Sequence, residues 1–170
     1  RSNKLETKMK IPDIKPGSIL HRETNSYIYA NSLELPSTTH ISIVDKYGNA
    51  LSMTSTIESS FGSRLMTNGG FLLNNELTDF SFQKEKKGKR VANNIEPNKR
   101  PRSSMAPTII FKNDKPLFII GSPGGSNIIG YVVNSIIGLV DWKMNVQQAA
   151  SIPHGINKFG TFYLEKNSKI

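Results

Sequence analysis

One apolar run limits what this chain can become. Ile128, Ile129, Val132, Val133, Ile136, Ile137, Leu139 and Val140 crowd the segment from Ile128 to Trp142. The segment is too long for one strand, usually about 5–6 residues. It also stops short of the roughly 18 apolar residues that would cross a bilayer. It therefore reads as a helix that buries itself against something else. The preceding segments supply that surface, because they alternate with a period of two. His40 to Lys46 carries Ile41 and Ile43 on one face, and Lys46-Tyr47-Gly48-Asn49 is a turn. Ala50 to Ile57 alternates again, with Leu51, Met53 and Ile57 on one face and Ser52, Thr54 and Thr56 on the other. The pair reads as a hairpin whose hydroxyl face suits a site floor or a solvent face.

Further along, Phe71-Leu72-Leu73 reads as a short buried strand after a Gly-rich bend, and residues 81–104 as a polar, basic loop. Met105 to Lys112 and Pro116 to Gly121 read as two strands around Asn113-Asp114. Asn145 is placed to cap a second helix through Ala150, which Pro153 and Gly155 end, and Gly160 to Lys166 is a last strand. Residues 1–37, with Pro12, Pro16, Gly17 and Pro36, read as extended or irregular. Strands, then helices, then a strand imply a layered α+β domain rather than alternating βαβ units.

Several classes of function fall away. The chain has no cysteine, which excludes a disulfide framework or a thiolate zinc site. His21, His40 and His154 are widely spaced and match no metal-ligand pattern, so neither metal nor cofactor is expected. The net charge of +9 gathers at Lys84–Arg90 and at Lys99-Arg100-Pro101-Arg102. Such patches attract anions, but no aromatic residue lies between Phe82 and Phe111 to stack on bases. A solvated loop fits them better than a nucleic-acid interface. Residue 1 is Arg and no signal peptide is visible.

Three constellations could carry chemistry. Thr38 and Thr39 open the first alternating strand after Pro36-Ser37. A threonine hydroxyl needs a base. Cutting the bond before it frees an α-amine, titrating near 7.7–8.0, on the nucleophile itself. Threonines are also ordinary at strand starts. Glu76 and Asp79 could grip an ammonium or act as acid and base, or could simply cap a turn. Gly121-Ser122-Pro123-Gly124-Gly125-Ser126 leads into the apolar helix and could offer amides to an oxyanion. It lacks the Lys-Ser/Thr ending of a phosphate loop. His40 reads as a strand residue beside the site.

The order of these motifs resembles one family. Thr-Thr-His-x-Ser-x-Val-Asp (38–45), Thr-x-Thr (54–56), Leu-Leu-Asn-Asn-Glu-x-x-Asp-Phe (72–80), Pro-Asn-Lys-Arg-Pro-x-Ser-Ser-Met-x-Pro-Thr (97–108) and Gly-Ser-Pro-Gly-Gly-Ser (121–126) are similar to the small subunit of the γ-glutamyltranspeptidases. The resemblance covers roughly residues 36–165. It implies an N-terminal-nucleophile hydrolase with an αββα sandwich, of which this chain would hold about half. It further implies a precursor cut into large and small subunits, here 1–37 as the tail of the large-subunit region and 38–170 as the small-subunit region, shortened at its C-terminal end. The expected partners are the large subunit, glutathione or another γ-glutamyl compound, and an amino acid or peptide acceptor. A periplasmic or extracellular location would follow.

By the same resemblance Thr38 is the nucleophile and Thr56 supports its activation; Thr39 stays open as an alternative by its position one step nearer the strand. Glu76 and Asp79 hold the substrate α-ammonium. Ser103 and Ser104 bind its α-carboxylate, and Gly124 and Gly125 form the oxyanion hole. The chain departs from the pattern at Glu58, where well-known transpeptidases carry Asn against the substrate amino acid. That departure suits a hydrolase or an acylase with another acyl preference. The loop between Phe80 and Pro101 has no aromatic that could close as a lid apart from Phe82 at its start. The arginine that the family's large subunit contributes is not in this segment. A non-enzymatic fragment that binds anionic partners through residues 84–102 is the third reading.

Overall fold

The computed structural model describes residues 37–158 and 160–166, together with the backbone of two earlier strands. In chain order the elements are β1 (Leu5–Lys10), β2 (Tyr27–Ile28), β3 (Thr38–Val44), β4 (Ala50–Thr56), β5 (Glu85–Lys86), β6 (Lys89–Val91), β7 (Thr108–Lys112), β8 (Lys115–Ile120), α1 (Ile128–Val140), α2 (Val146–Ser151), β9 (Gly155–Lys158) and β10 (Thr161–Glu165). The chain is a mixed helix-and-strand fold, as the order of periodic segments implies. His21 and most of residues 1–37 lie outside the described residues. Two backbone strands, β1 and β2, lie within that segment. β1 pairs antiparallel with β10, and β2 pairs parallel with β6.

The expected β3–β4 hairpin forms, and its register runs from Thr38 opposite Thr56 to Val44 opposite Ala50. Its turn is fixed by Asp45, whose carboxylate accepts from the amides of Tyr47 at 2.9 Å and Asn49 at 2.8 Å and from Asn49 Nδ2 at 2.7 Å. The Asn49 side chain and these amides hold the Asp45 carboxyl below its ordinary range. β7 and β8 turn at Asn113 and Asp114, both with positive φ (51° and 59°), which these two residue types tolerate better than most. Asn145 caps α2 through a reciprocal pair: Asn145 Oδ1 accepts the Gln148 amide at 2.8 Å, and Gln148 Oε1 accepts the Asn145 amide at 2.9 Å.

Packing departs from expectation at several points. The two hairpins lie against each other, and Ser42 and Ser52 hydroxyls donate to the carbonyls of Ile119 (3.3 Å) and Ile120 (3.2 Å). The hydroxyl face of β4 is therefore the covered face, while Leu51 and Met53 remain 44% and 42% exposed. The physical reason is that β8 offers carbonyls to that face, and hydroxyls can satisfy them. Phe71-Leu72-Leu73 is not a buried strand. Leu72 makes one isolated bridge to Met66, and Phe71 is 61% exposed. The apolar helix is buried along one stripe only, through Ile128, Val132, Gly138 and Leu139, with Ile129 and Val133 exposed. β5, β6 and β9 were not legible from periodicity because each is too short. The described core is small: Phe80, Val91, Ile128, Val132, Leu139, Ala149 and Ile156.

Candidate functional site

β-strand alternation decides which threonine faces inward. Thr38 opens β3 half-buried, and Thr39 points to the exposed side, where its hydroxyl donates to the Ser55 carbonyl at 3.4 Å. Thr38 sits opposite Thr56. Thr56 Oγ1 accepts the Glu58 amide at 2.9 Å, so its own proton is left to donate.

β4 ends there, and Glu58 turns into a left-handed conformation with φ +71°. Its side chain is anchored: Glu58 Oε2 accepts from Asn75 Nδ2 at 2.7 Å and from Ser59 Oγ at 2.9 Å. Asn75 also accepts the Ser59 amide at 3.0 Å. Glu76 and Asp79 bracket a single 3-10 turn directly after Asn75. One carboxylate oxygen of Glu76, Oε1, is buried with no hydrogen-bond partner among the described residues. Burial, and then the charges of Asp79 and Glu58, push the Glu76 carboxyl above its ordinary pKa.

Asn93 ties this turn to the next wall. Its Nδ2 donates to the Asp79 carbonyl at 2.5 Å, and its Oδ1 accepts the Arg102 amide at 3.0 Å. Arg102, Ser103, Ser104 and Met105 follow outside regular secondary structure. The remaining wall is the Gly turn. Gly124 (φ +140°) and Gly125 (φ +56°) adopt backbone that side-chained residues rarely take. A Cβ on Gly124 would lie 2.6 Å from the Tyr131 ring.

These walls enclose a cavity of about 40 Å³ lined by Thr38, Thr56, Glu58, Glu76, Asp79, Arg102, Ser103, Ser104, Met105, Gly125 and Ile128. Every candidate residue lines it except Gly124, which stands one residue behind Gly125, and the alternative nucleophile Thr39, which faces away. Arg102, Asn75 and Asn93 were missed by sequence reasoning. Arg102 was grouped with a solvated basic cluster, and the two asparagines act through side-chain bonds that leave no periodic trace. His40 lies off the cavity: Nδ1 meets Thr54 Oγ1 at 2.8 Å and Nε2 meets Ser42 Oγ at 3.0 Å. Burial lowers its pKa. A larger gap of about 880 Å³ between β3, β8 and the two helices contains none of the candidate residues. Among the described residues no group of three or more His, Asp or Glu side chains is disposed to hold a metal, and no helix is long and apolar enough to cross a membrane.

The family model for gamma-glutamyltranspeptidase matches residues 3–169. The chain belongs to the γ-glutamyltranspeptidase family. It is 45% identical over 117 residues to the glutathione hydrolase proenzyme of Bacillus subtilis (strain 168), a match that takes in 68% of this chain and 19% of that protein. Among solved structures, a mutant of Helicobacter pylori γ-glutamyltranspeptidase is 46% identical with a TM-score of 0.63, covering 71% of this chain and 68% of that one. The Bacillus anthracis transpeptidase enzyme CapD is 30% identical with a TM-score of 0.53, covering 71% and 61%. The chain spans about a fifth of the length of the first curated family relatives it matches.

Proposed function

We propose that this chain is the catalytic, small-subunit region of an N-terminal-threonine γ-glutamyl hydrolase and transferase, active together with a large subunit. The observation that carries the reading is the gathering of Thr38, Thr56, Glu76, Asp79, Ser104 and Gly125 around one small cavity from five separate stretches of sequence. Residues 1–37 would be the tail of the large-subunit region and 38–170 the small-subunit region, contributing about half of an αββα sandwich.

In this reading Thr38 Oγ1 first attacks the carbonyl carbon of Ser37. The carbon–nitrogen bond breaks, the acyl group moves to oxygen, and the hydroxyl proton ends on the Thr38 nitrogen. Water then hydrolyses the ester, leaving a carboxylate on Ser37 and a free amine on Thr38. That amine now serves as base for the same hydroxyl when it attacks a γ-glutamyl amide such as that of glutathione. The amides of the Gly124–Gly125 turn stabilise the developing oxyanion. The Thr56 hydroxyl steadies the nucleophile. Glu76 and Asp79 hold the substrate α-ammonium; the unpartnered, raised-pKa Glu76 supports this, since a bound cation would satisfy it. Ser103 and Ser104, beside Arg102, take the α-carboxylate. The acyl group passes to water or to an amino acid or peptide.

Intact mass and N-terminal sequencing after co-expression with a large subunit test the reading. A new N-terminus at Thr38 with release of γ-glutamyl-p-nitroanilide product is the expected result; an uncut, inactive assembly would refute it. A second reading, an acylase of different acyl preference, is favoured by one observation: Glu58 adds a third carboxylate to the cavity wall. If it holds, wild type prefers other acyl groups in a substrate panel and Glu58→Asn shifts the preference to γ-glutamyl transfer.

A further inference from the structure

The residue just before the proposed scissile bond is anchored. Ser37 is half-buried, and its hydroxyl donates to the main-chain carbonyl of Glu58. Glu58 is itself held at three points. Its amide donates to Thr56 Oγ1 and its carboxylate accepts from Asn75 and from Ser59, and its backbone is left-handed, with φ +71°. Glu58 is not a residue type that favours this conformation, and it keeps it because its neighbours fix it. The hydrogen bond lies just beyond the last paired residues, one residue before Thr38 and two after Thr56. It therefore extends the hairpin's order across the Ser37–Thr38 peptide.

We infer that Ser37 is a positioning residue for self-cleavage: its hydroxyl, docked on the Glu58 carbonyl, holds its own carbonyl carbon within reach of Thr38 Oγ1. The inference rests on the reading above that Thr38 is the self-exposed nucleophile. Its distinguishing consequence is one of timing. Ser37 departs on the other piece once the bond is cut, so its hydroxyl acts before the cut and not in substrate turnover.

The experiment follows the appearance of the Thr38 N-terminus by intact mass in the assembled protein, for wild type, Ser37→Ala and Ser37→Thr. One lost hydrogen bond predicts cleavage about 3- to 10-fold slower for Ser37→Ala. Ser37→Thr keeps the hydroxyl and suits extended backbone, so its rate should return close to wild type. Turnover of γ-glutamyl-p-nitroanilide per cleaved chain should be the same in all three. Cleavage of Ser37→Ala at the wild-type rate, a Ser37→Thr as slow as Ser37→Ala, or a parallel fall in turnover per cleaved chain would each overturn the inference and leave the proposed function standing. A wild-type chain never cut at Thr38 would bring down both.

Discussion

Glu76→Gln isolates the proposed ammonium-binding role from every other part of the site. The substitution keeps the side chain's size and removes its charge. In the free site that charge is a burden: Glu76 Oε1 is buried without a partner, and Asp79 and Glu58 repel it. A hydrogen bond to a charged partner contributes about 1.5–3 kcal/mol. At 1.36 kcal/mol per tenfold, its loss predicts kcat/KM on γ-glutamyl-p-nitroanilide lower by about 10- to 150-fold. The lower part of that range is expected because Glu76 is only half-buried. The loss should fall mainly on KM. Glutaryl-p-nitroanilide, which lacks the α-amine, should change by less than about 3-fold. The pH profile carries the sign. An ammonium binds the ionised carboxylate, so wild-type KM should rise as pH falls through the raised Glu76 pKa, and the Gln variant should lack that limb. Stability moves the other way. A folded pKa above the unfolded one favours the fold below the ordinary range near 4.5 and is lost as pH rises through the folded value, so the variant should melt no lower than wild type at pH 7. Equal losses on both substrates, or an unchanged KM profile, would refute the assignment.

Thr56→Val preserves shape but strands the Glu58 amide, and should lower stability by about 1–2 kcal/mol while slowing appearance of the Thr38 N-terminus, measured by melting and by mass. Gly124→Ala meets both φ +140° and the Tyr131 ring at 2.6 Å, and should cut kcat by at least about 10-fold with little change in KM, read from initial rates. His154 is half-buried against Tyr131, and its pKa is lowered by burial and partly restored by Glu165. Its contribution to stability is present above pH 6.5 and lost as pH falls below that value, so His154→Gln should flatten the acid side of a melting-temperature profile.

The parts of the fold legible in the sequence were those with a repeating pattern or a local chemical signature. The β3–β4 hairpin, the Asn113-Asp114 turn and the Asn145 cap fall in this class, because period two, left-handed tolerance and capping reciprocity all act within a few residues. The candidate site was legible as ordered motifs, although nothing in 38, 56, 76, 104 and 125 as numbers says that they meet. What was hidden depends on contacts distant in sequence. Asn93 joins the Asp79 turn to Arg102 through two side-chain bonds, and Asn75 carries Glu58 across a gap of 17 residues. The same cause left the two faces of β4 open in the sequence, since only the arrival of β8 determines that hydroxyls rather than Leu51 and Met53 are covered.

The exposed face of that hairpin bears on what the chain needs. Ile41, Ile43, Leu51 and Met53 form one apolar face on two paired strands, and all four are exposed. A two-stranded hairpin has little independent stability, and here its inner face is held by hydroxyl–carbonyl bonds rather than by apolar burial. A contiguous apolar face of this kind is characteristic of an interaction surface. Thr38 and Thr56 terminate the same two strands, so any fraying of the hairpin would disperse the proposed nucleophile and its proposed support together. Covering the apolar face and ordering the site are then one event, and the chain on its own should self-associate or melt without cooperativity. Co-expression with a large subunit should restore a sharp transition and catalysis in parallel. A monomeric isolated chain with a cooperative melt, by size-exclusion chromatography and calorimetry, would show that the hairpin needs no cover.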